Sequence, residues 1–265
     1  MLRWIFFGLN RWQFFRSFAS ILGNIKNSNK LLVSVGDKNS KFFRLGWKTL
    51  DLIDADYVCD IRRDNLPFAD EEIDLINCSH IVEHLPFSDA SMHFYREVWR
   101  VLKPGGLVRI VTPDSELLVE RYLAGDWRFF LECDGPEILR RIINGKIPPE
   151  SLLIHNRLVG WFASYSGRLD TAGGPIVVKE EVDRMLSNLD IRQFSDWCVS
   201  LLDPGRIYSH VNLYTYGRLA EEMREAGFRS VFRKEFGDSC HRLISNQSID
   251  QPRRKTYSMY LEAVK

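Results

Sequence analysis

The sequence predicts an α/β fold: a doubly wound, mostly parallel seven-stranded sheet with helices on both faces, an inserted mainly helical subdomain and an N-terminal amphipathic helix. Three observations carry this. Short apolar, β-branched runs alternate with stretches of helical period from about residue 31 to 114 and again from about 209 to the end, the pattern of strand–helix units in a parallel sheet. Between about 125 and 209 the rhythm stops, and aromatic residues accumulate in a stretch too long for a plain loop. Ahead of both, the first 36 residues hold no Asp or Glu but carry Arg3, Arg11, Arg16, Lys26 and Lys30 within a heavy apolar load.

The elements follow in order. From Phe14 the apolar positions 14, 15, 18, 21, 22 and 25 keep a helical period. After the Asn-rich stretch Asn24–Asn29, Leu31–Val35 (LLVSV) reads as a first strand that turns at Gly36. Thr49–Ile53 (TLDLI) and Tyr57–Ile61 (YVCDI) read as the second and third strands, and Ile73–Ser79 (IDLINCS) as the fourth. Ser88–Leu102 is a helix with Met92, Tyr95, Val98, Trp99 and Leu102 as its apolar positions. Lys103-Pro104-Gly105-Gly106 breaks it before a fifth strand, Leu107–Thr112. A late helix spans Tyr214–Ala226 and stops at Gly227. Phe228–Phe236 and Tyr257–Val264 close the sheet as an antiparallel pair.

Composition narrows the function classes. Thirty-six Lys and Arg against 35 Asp and Glu leave a formal charge of +1, so no whole-chain basic field exists to attract nucleic acid. The five cysteines, Cys59, Cys78, Cys133, Cys198 and Cys240, are scattered with no CxxC pair, which argues for reduced cytosolic thiols and against a disulfide framework. No uninterrupted 18-residue apolar run crosses the N-terminal segment, because Arg11, Gln13 and Arg16 break it. Residues 1–22 then have two readings: a peripheral contact with an anionic membrane surface, or a helix packed on the α/β domain or on a dimer partner. The expected location is cytoplasmic, at the inner face of the membrane in the first case.

Residues 61–114 bring a resemblance. Leu66-Pro67-Phe68 followed by Ile73-Asp74, then Glu83-His84-Leu85, then Leu102-Lys103-Pro104-Gly105-Gly106 resemble, in order and spacing, the class I S-adenosylmethionine-dependent methyltransferases. The nearest likeness is to a small-molecule branch whose genes accompany polysaccharide or lipid modification. Residues 209–228 resemble that family's late helix, and the likeness covers about 31–114 and 209–265. It implies S-adenosylmethionine as cofactor, held by Ser34 and Gly36 in the first loop, by Asp51 on the ribose hydroxyls, by Asp60 and Ile61 beside the adenine, and by Ser79 near the methionine portion. The first loop departs from the family's G-x-G-x-G pattern, since only Gly36 is present. The resemblance leaves the N-terminal helix and the insertion uncovered; with the pattern along the chain, the expected organisation is an N-terminal helix over 1–29, an α/β domain from 30–124 with 210–265, and a helical insertion over 125–209 as substrate cover.

Methyl transfer asks mainly for in-line positioning in a dry site, and a base is needed only for a hydroxyl acceptor. His80, His84 and His210 are the candidates for that base. His80-Ile81-Val82-Glu83-His84 also matches the H-x-x-E-H pattern of zinc peptidases, but it follows a strand in an alternating α/β chain, and no metal is expected from it. The function expected is methyl transfer to a small molecule or a glycan or lipid precursor, with a degenerate, non-catalytic scaffold that binds a partner or membrane as the alternative.

Overall fold

The computed structural model describes residues 30–34, 46–87, 89–134, 140–141, 143–146, 153–163, 177–201, 209–242, 244–245 and 250–265. The expected N-terminal helix and Gly36 lie outside the described residues. Strands β1 (Lys30–Ser34), β2 (Trp47–Asp51), β3 (Tyr57–Val58), β4 (Ile73–Ser79), β5 (Leu102–Pro113), β6 (Ser230–Lys234) and β7 (Ser258–Val264) hydrogen-bond in the order β3-β2-β1-β4-β5-β7-β6. The first five in that order run parallel, and β7 lies antiparallel to both β5 and β6. Among the described residues the helices are α1 (Asp89–Val101), α2 (Ser115–Leu123), α3 (Trp127–Asp134), α4 (Ile154–Ala163), α5 (Lys179–Asn188), α6 (Ile191–Ser200) and α7 (Tyr216–Glu225).

The IDLINCS run becomes the inner strand β4 because five of its seven residues are buried, a near-continuous apolar strand covered on both faces. One face of the sheet carries α1 and α7. Phe94, Tyr95, Val98 and Val101 from α1 meet Leu219, Ala220 and Met223 from α7 over Ile76, Cys78, Val108, Ile110 and Leu261. A second apolar cluster belongs to the helices: Leu118 and Tyr122 of α2, Phe129 and Phe130 of α3, Leu158 and Phe162 of α4, Val182 of α5, and Phe194 and Cys198 of α6. Leu213 and Tyr257, from chain that abuts the sheet, join this cluster and tie the two layers together. Helix starts follow capping chemistry. Asp114 accepts from the Glu116 and Leu117 amides at 3.1 and 3.2 Å, and Asp190 with Gln193 forms a reciprocal box at α6.

Two expectations need correction. The third strand has two residues and not five, because Asp60 leaves the ladder to form a turn: Arg63 and Asp64 donate their amides to its carbonyl at 3.0 and 2.8 Å. Lys103–Gly106 is not a break that separates the helix from a fifth strand starting at Leu107: it bulges within β5, which starts at Leu102, and the pairing jumps from Ile73↔Leu102 to Leu75↔Leu107. A side chain at Gly106 would sit 2.8 Å from the Lys103 carbonyl, so the bulge needs glycine there.

Gly227 ends α7 at φ +116°, and a Cβ there would lie 2.9 Å from Nε1 of Trp99, whose ring carries the Lys265 ammonium 4.1 Å above it. Gly227→Ala therefore combines backbone strain with a clash and should cost about 2 kcal/mol, or about 5 °C in Tm. A melt within a degree of wild type would contradict this account of the helix stop. No helix among the described residues is long and apolar enough to cross a membrane.

Candidate active site

The strand order reverses at β1. The chain leaves β1 toward β2 on one side and returns to β4 on the other, which makes the carboxyl ends of β1 and β4 the switch point at which open α/β sheets bind ligands. Ser34 and Ser79 are register partners at that edge, and Asp51 ends the neighbouring β2. The Leu52 amide donates to Asp51 Oδ1 at 2.6 Å, fixing the carboxylate at the strand end. Ile53 and Val58 beside it are each 66% exposed, an apolar surface next to a carboxylate.

Past β4 the chain folds back sharply. His80 takes a left-handed φ of +56° while its amide still donates to the Val111 carbonyl at 2.7 Å, and Val82–His84 then makes a single 3-10 turn. Val82 fills the core, which drives its neighbour Glu83 inside as well, at 0% exposure. The Val211 and Asn212 amides donate to the Glu83 carbonyl at 2.9 and 3.2 Å. This strap brings His210 against the turn, its ring 5.0 Å from that of His84. Sequence separation is thereby cancelled, and all three candidate histidines gather around one buried carboxylate.

Hydrogen bonds define the proton positions. His210 Nδ1 is 2.5 Å from the Trp161 carbonyl, and His84 Nδ1 is 3.2 Å from the Ser209 carbonyl. A carbonyl only accepts, so both rings carry their proton on Nδ1 and present Nε2 as the basic nitrogen. His80 places Nδ1 3.0 Å from Glu83 Oε1 and Nε2 2.9 Å from Ser258 Oγ. Glu83 Oε2 accepts from the Thr112 hydroxyl at 3.1 Å.

Burial lowers the pKa of His210 to about 4, with His84 pushing the same way and Glu83 opposing. His80 is lowered too, first by burial, against the pull of Glu83. For Glu83 burial acts upward, but the three surrounding imidazoles outweigh it and hold the carboxyl at about 2. At neutral pH the site is therefore an anionic Glu83 with neutral His80 and His210 beside it.

The remaining sequence candidates sit apart from this cluster. Asp60 is nearly buried and grips Arg62 with both oxygens at 2.7 Å, which keeps its pKa low against the opposing effect of burial. Ile61 is half-buried against the sheet core. Ser79 Oγ accepts from Arg254 Nη1 at 2.6 Å. Sequence reasoning missed Arg254, Glu83 as a side chain of the site, and the aromatic wall of Trp161 and Tyr257, whose ring centroids are 4.7 Å apart. Glu83 was readable as part of its Glu-His motif, but nothing in the basic run Arg253–Lys255 marks Arg254 as a partner of Ser79.

Residues 38–110 match the family model described as a methyltransferase domain. No curated protein matches the chain. Among solved structures, a SAM-dependent methyltransferase from Archaeoglobus fulgidus is 12% identical, covering 97% of this chain and 95% of its own, with a TM-score of 0.42. One from Mesorhizobium loti is 13% identical over 94% and 96%, at 0.44. The 1,6-didemethyltoxoflavin-N1-methyltransferase of Burkholderia thailandensis is 13% identical over 97% and 81%, at 0.40. At these scores the likeness says nothing about function.

Proposed function

We propose that the chain, whose residues 38–110 match a family model described as a methyltransferase domain, is a class I S-adenosylmethionine-dependent methyltransferase that methylates a hydroxyl of a small molecule or of a glycan or lipid precursor. The observation that carries this reading is the meeting of His80, His84 and His210 around Glu83 just past the carboxyl end of β4, beside the reversal of strand order. When bound, S-adenosylmethionine supplies an electrophilic methyl group on a sulfonium.

The donor set fits that cofactor. In this proposal Asp51 holds the ribose hydroxyls, which suits a carboxylate fixed at a strand end with the exposed apolar Ile53 and Val58 next to it. Asp60, locked to Arg62, shapes the turn that sets Ile61 beside the adenine. The family resemblance assigns Ser34, Gly36 and Ser79 to the methionine portion, and Arg254, bonded to Ser79 Oγ, adds a cation that suits a carboxylate. The acceptor's proton passes to a neutral imidazole of the His80, His84 and His210 group, and Glu83 stabilises the imidazolium that results. Helices in the 125–209 insertion cover the acceptor and exclude water, while residues 1–22 provide a peripheral membrane contact for a cytoplasmic enzyme.

Calorimetric titration with S-adenosylmethionine and S-adenosylhomocysteine tests this. Micromolar binding is expected for wild type, weakened about 100-fold in Asp51→Ala, the loss of two charge-assisted hydrogen bonds at about 1.5 kcal/mol each. Absence of binding by the folded wild type would overturn the reading and favour the non-catalytic scaffold.

A further inference from the structure

Glu83, His84 and His210 each offer a ligand atom, and these atoms lie within 4.8 Å of one another. From this cluster we infer that the chain binds one divalent transition-metal cation, of the zinc or manganese class, through the carboxylate of Glu83 and the Nε2 atoms of His84 and His210.

Three features beyond proximity support a built site. Both imidazoles are oriented by a carbonyl on Nδ1, Ser209 for His84 and Trp161 for His210, the arrangement that aims Nε2 of a ligating histidine and fixes its tautomer. Glu83 is 0% exposed, and its Oε2 has the Thr112 hydroxyl. Among the described residues its Oε1 has no hydrogen-bond donor besides His80, whose Nδ1 stands 3.0 Å away as an ion-pair contact. A fully buried carboxylate oxygen with a single neutral imidazole for company is under-satisfied, and a cation would complete its shell. Finally, the ligands come from two segments locked together through the Glu83 carbonyl, so the site forms with the fold and not by chance encounter of mobile side chains.

The chemistry selects the cation class. Two imidazoles and one carboxylate suit zinc, manganese and their neighbours better than calcium or magnesium, which prefer all-oxygen shells. Three protein ligands leave at least one position open, the pattern of catalytic and not structural sites. At metal–ligand distances of about 2.1 Å, tetrahedral donors stand roughly 3.4 Å apart, so small side-chain rotations close the observed spacing. The arrangement differs from the zinc-peptidase H-x-x-E-H site. There the two histidines share a helix face and the glutamate is a base, whereas here His80 precedes the turn at φ +56° and Glu83 is itself a ligand.

Resting on the methyl-transfer reading, the open position would take an oxygen of the acceptor and favour its ionised form, which narrows the acceptor to a molecule with a metal-binding hydroxyl, such as a diol or an enol. His80 is then the imidazole left to receive the proton.

The test uses the full chain after chelator treatment, titrated with zinc and with manganese by calorimetry and with cobalt by visible absorption. One equivalent binding at micromolar Kd or tighter is expected, with a cobalt ligand-field band and a raised Tm. His84→Gln and His210→Gln should each weaken binding at least 100-fold while keeping the metal-free Tm within a few degrees. Cys240→Ser, which removes the one exposed thiol among the described residues, should bind as wild type. No binding by folded wild type, or binding lost in Cys240→Ser but kept in both histidine variants, overturns the proposal. S-adenosylmethionine affinity is measured separately, so failure of the cofactor site and failure of the metal site give different results.

Discussion

Arg109→Leu is expected to destabilise the protein by about 3–5 kcal/mol, enough to leave much of it unfolded at 37 °C. Arg109 sits in the middle of β5 with 0% exposure. Its guanidinium makes two bonds to Asp250, at 3.1 and 2.7 Å, and one to Glu262 at 2.9 Å. It also donates to the carbonyls of Asp238 and Glu235 at 2.8 and 3.1 Å and lies 4.9 Å from the Tyr260 ring. Removing it strands two buried carboxylates whose desolvation has already been paid, and it frees the chain around residues 235–238 from the sheet. Chemical denaturation measures the loss. The combined variant with Asp250→Asn and Glu262→Gln should regain a large part of it, because the stranded charges are gone while the acceptors for the Gly237 and Cys240 amides remain. If the combined variant is no more stable than Arg109→Leu, uncompensated charge is not the cause.

The second large effect is acid sensitivity that originates in the cluster of His80, His210 and Glu83. His210 has an ordinary pKa of 6.5 and a folded value of about 4, so between those pH values the unfolded chain binds a proton that the native chain refuses. Stability therefore falls as pH drops through that window, by about 1.4 kcal/mol per unit and about 3 kcal/mol in all. His80, also lowered, adds in the same direction. Glu83 acts lower down: its folded value of about 2 against an ordinary 4.5 means that its contribution, complete above 4.5, disappears as pH falls toward 2. Urea unfolding of chelator-treated protein should show a steep decline from pH 6.5 to 4. His210→Asn, whose amide can still donate to the Trp161 carbonyl, should flatten it. An unchanged slope in that variant would move the effect to another group.

How much was legible follows from how local each signal is. The fourth strand matches its run of residues, Ile73–Ser79, because a continuous apolar segment between polar turns has one economical placement in a sheet. The late helix and its stop at Gly227 were equally local, a Thr215 cap at one end and a left-handed residue at the other. The third strand failed because YVCDI has strand propensity throughout, yet the Asp60 carboxylate found Arg62 and its carbonyl found the Arg63 and Asp64 amides. In the sequence Arg109 is simply one residue of a strand. Its meaning depends on β7 arriving antiparallel with Glu262 in register opposite it, a pairing across more than half the chain that no periodicity encodes.

The candidate site divides along the same line. The amino-acid sequence by itself determined the alternating sheet, the strand-end carboxylate Asp51 and the Glu-His motif after β4, since each depends on residues within a turn or two of one another. Tertiary structure alone decided that His210 would join His80 and His84, through two amides donated to the Glu83 carbonyl, and that Arg254 would reach Ser79. It also decided that Glu83 would lie wholly inside, where low dielectric magnifies every neighbouring charge. Proximity in space between distant residues is set by packing and strand order, and the pKa values and ligand geometry that make chemistry exist only once that packing has excluded water.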